Sequence, residues 1–138
     1  MITDTSILQD LQTEWQGVLK LRGKMDRLLK ASFSQGASAT VLLADIPHNL
    51  PFLNACGVFN DALMAMRKAG YFSSQWRTLG ALVKDSKNSL PWLNYLLMKE
   101  VVDKRNDLAH RAVILPRGDC WRYIDAIEVQ LRDWKVLT

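Results

Sequence analysis

Cysteine and histidine are both scarce in this chain of 138 residues, and their scarcity limits the chemistry that it can perform. Its two cysteines, Cys56 and Cys120, lie far apart and form no CxxC motif, which predicts buried free thiols rather than a disulfide or a metal framework. The two histidines, His48 and His110, provide too few ligands for a typical zinc site. We therefore expect no metal and no other cofactor.

Long apolar runs are also lacking. Runs such as residues 41–44 are far shorter than the roughly 20 residues that span a bilayer. The first charged residue is acidic, whereas a secretory signal peptide begins with a basic region. These absences predict a cytoplasmic protein that makes no contact with a membrane.

The composition is that of a folded domain, because 49% of the residues are hydrophobic and 23% are charged. The length suits a single domain over residues 1–138. The net charge of +4 and the pI near 9.2 permit binding to nucleic acid without demonstrating it.

Apolar residues recur at steps of three and four along most of the chain, which predicts an all-α, up-and-down bundle of four to five helices. The predicted helices cover about residues 6–32, 51–69, 73–84, 89–111 and 119–134. Residues 34–38 break the first pattern, Pro47 and Pro51 argue against a regular helix before residue 51, and Gly70 suits a left-handed helix end. Four tryptophans fall on the apolar stripes and are expected in the core: Trp15, Trp76, Trp121 and Trp134.

A cluster of chemically capable residues lies near the end of the fourth predicted helix, where the sequence is KRNDLAHR over residues 104–111. Arg105 is followed by the polar Asn106, and Ala109 precedes His110. The spacing alone is a weak signal, but its place at the end of an amphipathic helix, with one more helix to follow, strengthens it.

With this cluster the chain resembles the HEPN superfamily of all-helical domains, whose mark is an arginine, a polar residue and a histidine late in the domain, here Arg105, Asn106 and His110. The resemblance implies a metal-independent endoribonuclease that works as a homodimer, in the role of the toxin of a toxin–antitoxin or other defence module. It also makes Asp61, on the second helix, a candidate polar partner for Arg105, with a surface acid as the alternative. An antitoxin or a nucleotidyltransferase is the partner protein that it implies.

The geometry of an ideal helix constrains how the cluster works. Arg105 and His110 are five residues apart and so differ by about 140° around the axis, whereas Asn106 and His110 differ by about 40° and share a face. Either Arg105 reaches around the helix, or the last turn distorts, or the two residues meet across two chains. Cleavage of RNA by its own 2′-hydroxyl needs a base, an acid and a fixed cation, and one imidazole fills one proton-transfer role at a time.

We therefore assign proton transfer to His110, binding of the scissile phosphate to Arg105, and orientation of His110 or binding of substrate to Asn106. Lys104 and Arg111 extend the site as nucleic-acid-binding residues, unless they belong to a solvated charged face. In that alternative Arg111 pairs with Asp107. By contrast, His48 lies between proline and asparagine and is expected to be an exposed loop residue.

Two other functions remain open from the sequence. The chain could be a non-catalytic helical module that binds a nucleotide, RNA or a partner protein, as some HEPN domains do beside a nucleotidyltransferase, or a structural bundle in which the cluster is accidental. Two positions depart from the HEPN pattern and argue against transferring the family's regulation and activity to this chain without change. Some HEPN toxins carry a tyrosine that accepts a nucleotide where this chain has Ala112, and many relatives have a small residue in place of Arg111.

Overall fold

The computed structural model of the chain describes residues 1–34 and 40–138, with the side chains of residues 29, 31–34 and 40–46 left outside the description. The described residues form five helices and no β-strand, which confirms the predicted all-α bundle. The helices are α1 (Thr5–Ser34), α2 (Thr40–Lys68), α3 (Leu79–Asp85), α4 (Tyr95–Arg111) and α5 (Arg117–Asp133). None of the described helices is both long and apolar enough to cross a bilayer.

The second helix forms the centre of the bundle, because α1, α3 and α5 all pack against it. Its inward face is apolar at Phe52, Phe59, Leu63 and Met66, all of which are fully buried. Large side chains from the neighbouring helices complete the core: Trp15, Leu82, Tyr123, Ile124, Ile127, Leu131 and Trp134. The fourth helix packs on α3 and α5 and lies at the edge of this arrangement.

Local signals set two of the helix ends where the sequence predicts them. Asp4 caps α1, since its carboxylate accepts hydrogen bonds from the backbone N–H groups of Ser6 and Ile7 at 2.9 and 3.3 Å. Gly70 follows α2 with a φ of +88°, and the Tyr71 N–H donates back to the Met66 carbonyl. This left-handed turn is the one that glycine adopts without steric cost.

The start of α2 was predicted wrongly. The helix begins at Thr40 and contains both Pro47 and Pro51, which lie four residues apart and so on one side of the helix. The predicted break over residues 34–38 lies outside the described residues except at Ser34, which is the last residue of α1. His48 is therefore a helical residue and not an exposed loop residue: it is only 1% exposed, packs edge-to-face on Trp121 and lies 3.8 Å from an Asp26 oxygen.

The third helix begins six residues later than predicted, at Leu79. Arg67 holds the preceding loop in a different shape, because its guanidinium donates to the carbonyls of Ser74 and Trp76 at 3.3 and 2.8 Å. The Ser74 hydroxyl donates to Asp85 at 2.6 Å. As a result Trp76, predicted to be in the core, is 64% exposed.

The fourth helix also begins later than predicted, at Tyr95, with Asn94 as its N-cap. Side chains of α5 and of the residue that follows it bind the backbone groups that an earlier start would use. The Pro91 carbonyl accepts from Trp134 Nε1 at 3.0 Å, and the Leu93 N–H donates to Gln130 Oε1 at 3.0 Å. Leu93 is consequently 56% exposed rather than part of the apolar face.

A buried amide fixes the other end of α4 as well. Asn49 of α2 is 3% exposed and makes two hydrogen bonds to one residue of the loop after α4. Its Nδ2 donates to the Leu115 carbonyl at 3.0 Å, and its Oδ1 accepts from the Leu115 N–H at 2.9 Å. Thus Gln130 and Asn49, from two different helices, hold the backbone on either side of α4.

Replacing Asn49 with alanine is expected to lower the free energy of unfolding by about 2 kcal/mol, because it leaves the buried Leu115 N–H and carbonyl without the two bonds. Urea denaturation followed by circular dichroism measures the change. The matched control is Asn54→Ala, at an exposed position on the same helix, with an expected effect within about 0.5 kcal/mol. Equal effects of the two substitutions would contradict the role given to Asn49.

Candidate functional site

Arg105 lies on the face of α4 that carries its buried residues. It follows Val101 by one helical turn, and Ala109 follows it by another, so the three share one side of the helix. Val101 is buried, Arg105 is half-buried and Ala109 is exposed. This side of α4 is therefore buried at Val101 and exposed at Ala109, and Arg105 lies at the boundary between the core and the surface.

A cleft of about 570 Å³ opens there, and we call it the arginine cleft. The side of α2 contributes Leu53, Cys56, Gly57 and Asn60, the start of α3 contributes Arg77, Thr78 and Leu79, and α4 contributes Arg105 and Ala109. Among these described lining residues none is acidic. Because two guanidinium groups face the cleft without a carboxylate in its wall, it favours an anion.

The described residues give neither of these arginines a carboxylate partner, whereas Arg22, Arg111, Arg122 and Arg132 each form an ion pair. Instead, Arg105 Nη1 donates to Asn106 Oδ1 at 3.3 Å. This contact holds the guanidinium against its own helix while leaving most of its five N–H donors for a ligand.

His110 lies apart from the arginine cleft. It is exposed in the last turn of α4, beside Ala109, and it is not among the residues that line the cleft. No hydrogen bond joins it to Asn106 within the described part of the chain, and the Asn106 oxygen accepts instead from Arg105. Within one chain, the structure therefore joins Arg105 to Asn106 and leaves the imidazole open to solvent.

The turn after His110 is tight and strained. Ala112 has a φ of +54°, in the left-handed region that alanine rarely adopts, and the Ala112 and Val113 N–H groups both donate to the Asp107 carbonyl. The helix ends one residue after the histidine, and the turn directs the chain toward Leu115, which Asn49 holds. Hydrogen bonds to Asp107 and to Asn49 thus fix the chain where α4 ends, next to the candidate site.

The remaining predicted residues fall into two groups. Lys104 is half-buried, and Arg111 is exposed and pairs with Asp107 at 3.4 Å, which is the predicted i, i+4 pair. Asp61 lies near Glu14 of α1: desolvation, followed by the neighbouring Asp61 carboxylate, raises the pKa of Glu14. This places Asp61 on the side of α2 that faces α1, in a groove that it lines together with Glu14 and without Arg105.

Both cysteines are buried thiols that form no disulfide, as predicted. Burial raises the pKa of the Cys56 thiol to about 12, and the positive charge of Arg105 opposes this shift only in part. A thiol with such a pKa remains protonated near neutral pH. Although it lines the arginine cleft, Cys56 contributes an apolar surface and not a nucleophile.

Sequence reasoning missed three residues that shape the site: Arg77, Asn60 and Asn49. Arg77 stands in a stretch predicted to be helical, and Asn60 is one polar residue within an apolar helix. Nothing in their local sequence connects them to Arg105. Only the packing of α2, α3 and α4 brings Arg77 and Asn60 to one cleft.

Comparisons with protein-family models, with curated proteins and with solved structures find no match to this chain. The resemblance to the HEPN superfamily therefore depends on Arg105, Asn106, His110 and the helical layout, and the family assignment stays a prediction.

The Cys56 thiol is expected to resist modification in the folded protein. In a Cys120→Ala variant, Cys56 is the only thiol, and a disulfide reagent such as DTNB at about pH 8 should release almost no chromophore until urea unfolds the chain. Rapid stoichiometric reaction of the folded variant would contradict the burial and the raised pKa. A urea-unfolded sample provides the control for full reactivity.

Proposed function

We propose that this chain is a metal-independent endoribonuclease of the HEPN type that cleaves RNA at a site shared by two copies of the chain. The observation that carries the proposal is the position of Arg105: it lines an acid-free cleft, beside Asn106 and a short distance along α4 from an exposed histidine. A cytoplasmic location, the role of a toxin in a two-component defence module, and control by an antitoxin or a nucleotidyltransferase belong to the same proposal.

The proposed reaction is an internal transesterification of RNA. The 2′-oxygen forms a bond to phosphorus as its proton passes to a base, and the bond from phosphorus to the 5′-oxygen breaks as an acid protonates the leaving group. The products are a 2′,3′-cyclic phosphate and a free 5′-hydroxyl. His110 transfers protons, and the Arg105 guanidinium stabilises the extra negative charge on the phosphorane.

One copy of the chain offers only part of this site. Arg105 faces the arginine cleft, while His110 points from another side of α4, and one imidazole cannot act as acid and base in the same step. A symmetric pair of chains would bring two histidines and two arginines around one phosphate. The exposure of His110 leaves it free for such an arrangement.

A specific observation also favours a second function, that of a non-catalytic module that binds a nucleotide or RNA. Ala109, and not His110, lines the arginine cleft, so an anion held by Arg105 within one chain would not contact the imidazole. In that case the arginines would bind a phosphate without cleaving it. Binding without cleavage is the result that separates the two functions.

Purified protein is expected to cleave single-stranded RNA in the presence of EDTA and to leave 2′,3′-cyclic phosphate ends. Arg105→Ala and His110→Ala should each lower the rate at least about 100-fold, because each removes a charge-stabilising or proton-transferring group. Arg27→Ala, at an exposed position of α1, is the matched control that removes one positive charge elsewhere. Unchanged cleavage by either site variant would overturn the proposal.

Mixing wild-type chains with the double variant Arg105→Ala/His110→Ala tests the shared site. A mixed pair retains one arginine and one histidine, so it lacks the second proton-transferring group and should cleave RNA at least about 100-fold more slowly than a wild-type pair. When the two chains are co-refolded at a fixed total concentration, the cleavage rate should fall with the square of the wild-type fraction. A rate that falls in simple proportion to the wild-type fraction would contradict a site formed by two chains.

A further inference from the structure

One of the residues that line the arginine cleft carries a polar atom that no described protein group satisfies. Asn60 Oδ1 is buried and has no hydrogen-bond partner among the described residues. Buried polar atoms almost always have a partner, and one that does not calls for an explanation such as a ligand. Because Asn60 as a whole is only half-buried and lines the cleft, rotation of its side-chain amide would turn this oxygen toward a donor on a bound molecule.

Arg77 supplies a second cation from a different element. It is exposed and lies two residues before α3, in a loop whose carbonyls at Ser74 and Trp76 are held by Arg67. Since this loop is fixed by hydrogen bonds, Arg77 is positioned at the cleft rather than left on an unrestrained segment. Arg77 and Arg105 thus line the same space from the loop before α3 and from α4.

The remaining surface of the cleft is apolar or small. Leu53, Leu79 and the protonated Cys56 provide apolar walls, and Gly57 leaves open space where another residue would place its Cβ. The volume of about 570 Å³ lies within the range of sites that bind small molecules, roughly 300–1,000 Å³. The cleft therefore combines cations, a free acceptor and flat apolar surface.

We infer that the arginine cleft is a subsite for one nucleotide unit of RNA, in which Arg77 and Arg105 bind phosphate and Asn60 Oδ1 accepts a hydrogen bond from the base or the ribose. A phosphate matches the paired guanidinium forks, a base presents both N–H donors and an apolar face, and a ribose presents hydroxyl donors. The choice of RNA as the ligand rests on the proposed function. The subsite itself rests on the lining of the cleft.

Isothermal titration calorimetry tests the subsite separately from cleavage. His110→Ala protein, which retains the whole lining of the cleft, is titrated with AMP, GMP, CMP and UMP and with inorganic phosphate. Adding Arg77→Ala should weaken both nucleotide and phosphate binding about tenfold, which corresponds to one charge-assisted contact. Adding Asn60→Ala should weaken binding of the best nucleotide about fivefold or more and leave phosphate binding unchanged.

Two further variants complete the design. Ala109→Leu fills the mouth of the cleft with a good helix-forming residue and should abolish nucleotide binding while the melting temperature stays near that of the parent. Arg27→Ala is the charge-matched control and should bind as the parent does. Asn60→Ala should melt no lower than the parent, because it removes an unsatisfied buried oxygen.

The outcomes separate the two proposals. No nucleotide binding up to about 10 mM, or equal affinities in the Arg77, Asn60 and Arg27 variants, would overturn the subsite even if the wild type cleaves RNA. The expected pattern of binding, together with a wild type that does not cleave RNA, would support the subsite and reject the ribonuclease. Cleavage and the expected pattern together support both.

Discussion

The position of α4 depends on two buried side-chain amides that form hydrogen bonds with the backbone just before and just after the helix. Gln130 of α5 binds the Leu93 N–H before the helix, and Asn49 of α2 binds both backbone groups of Leu115 after it. Without these bonds, each of the three backbone groups would bind water or remain unsatisfied in a partly buried loop. The candidate site exists where it does because α4 is fixed at these two points.

This mode of attachment explains why a cleft lies beside the helix. A helix that packed along its whole length against α2 would have to cover Arg105 and place its charge in the core, at a high cost in free energy. Held mainly from its flanking loops and by α3 and α5, α4 leaves space between Arg105 and the side of α2. The strained left-handed turn at Ala112 persists in the same setting, since the hydrogen bonds to Asp107 and to Asn49 fix the chain on both sides of it.

The sequence was a reliable guide to what depends on local periodicity. The all-α class, the long first helix, the Gly70 turn and the two buried thiols follow from apolar spacing and from the properties of single residues, and the structure confirms them. The start of α4 could not be predicted, because Gln130 and Trp134 bind backbone groups that lie 37 and 43 positions earlier in the sequence. The start of α3 depends on Arg67, which binds loop carbonyls 7 and 9 positions later, and no residue pattern announces these bonds. The burial of His48 followed from the helical conformation of its segment, which its neighbouring prolines argued against.

The candidate site shows the same division between local and distant causes. Arg105, Asn106 and His110 stand close together in the sequence and could be singled out from their residue types alone. Their relation in space could not, because the side of α4 that meets α2 is decided by the core residues one and two turns earlier. Arg77 and Asn60 carried no signal at all, since they belong to the site only through the packing of α2 and of the loop before α3.

The electrostatics of the arginine cleft limit how two copies of the chain can meet. Two acid-free clefts, each with two guanidinium groups, repel one another when they approach without a counterion, and the net charge of +4 on each chain adds to the repulsion. A phosphate between them reverses the sign of the interaction, because each guanidinium then contacts an anion rather than another cation. In the proposed shared site, an RNA phosphate would therefore help to hold the two chains together, and binding of substrate would favour assembly.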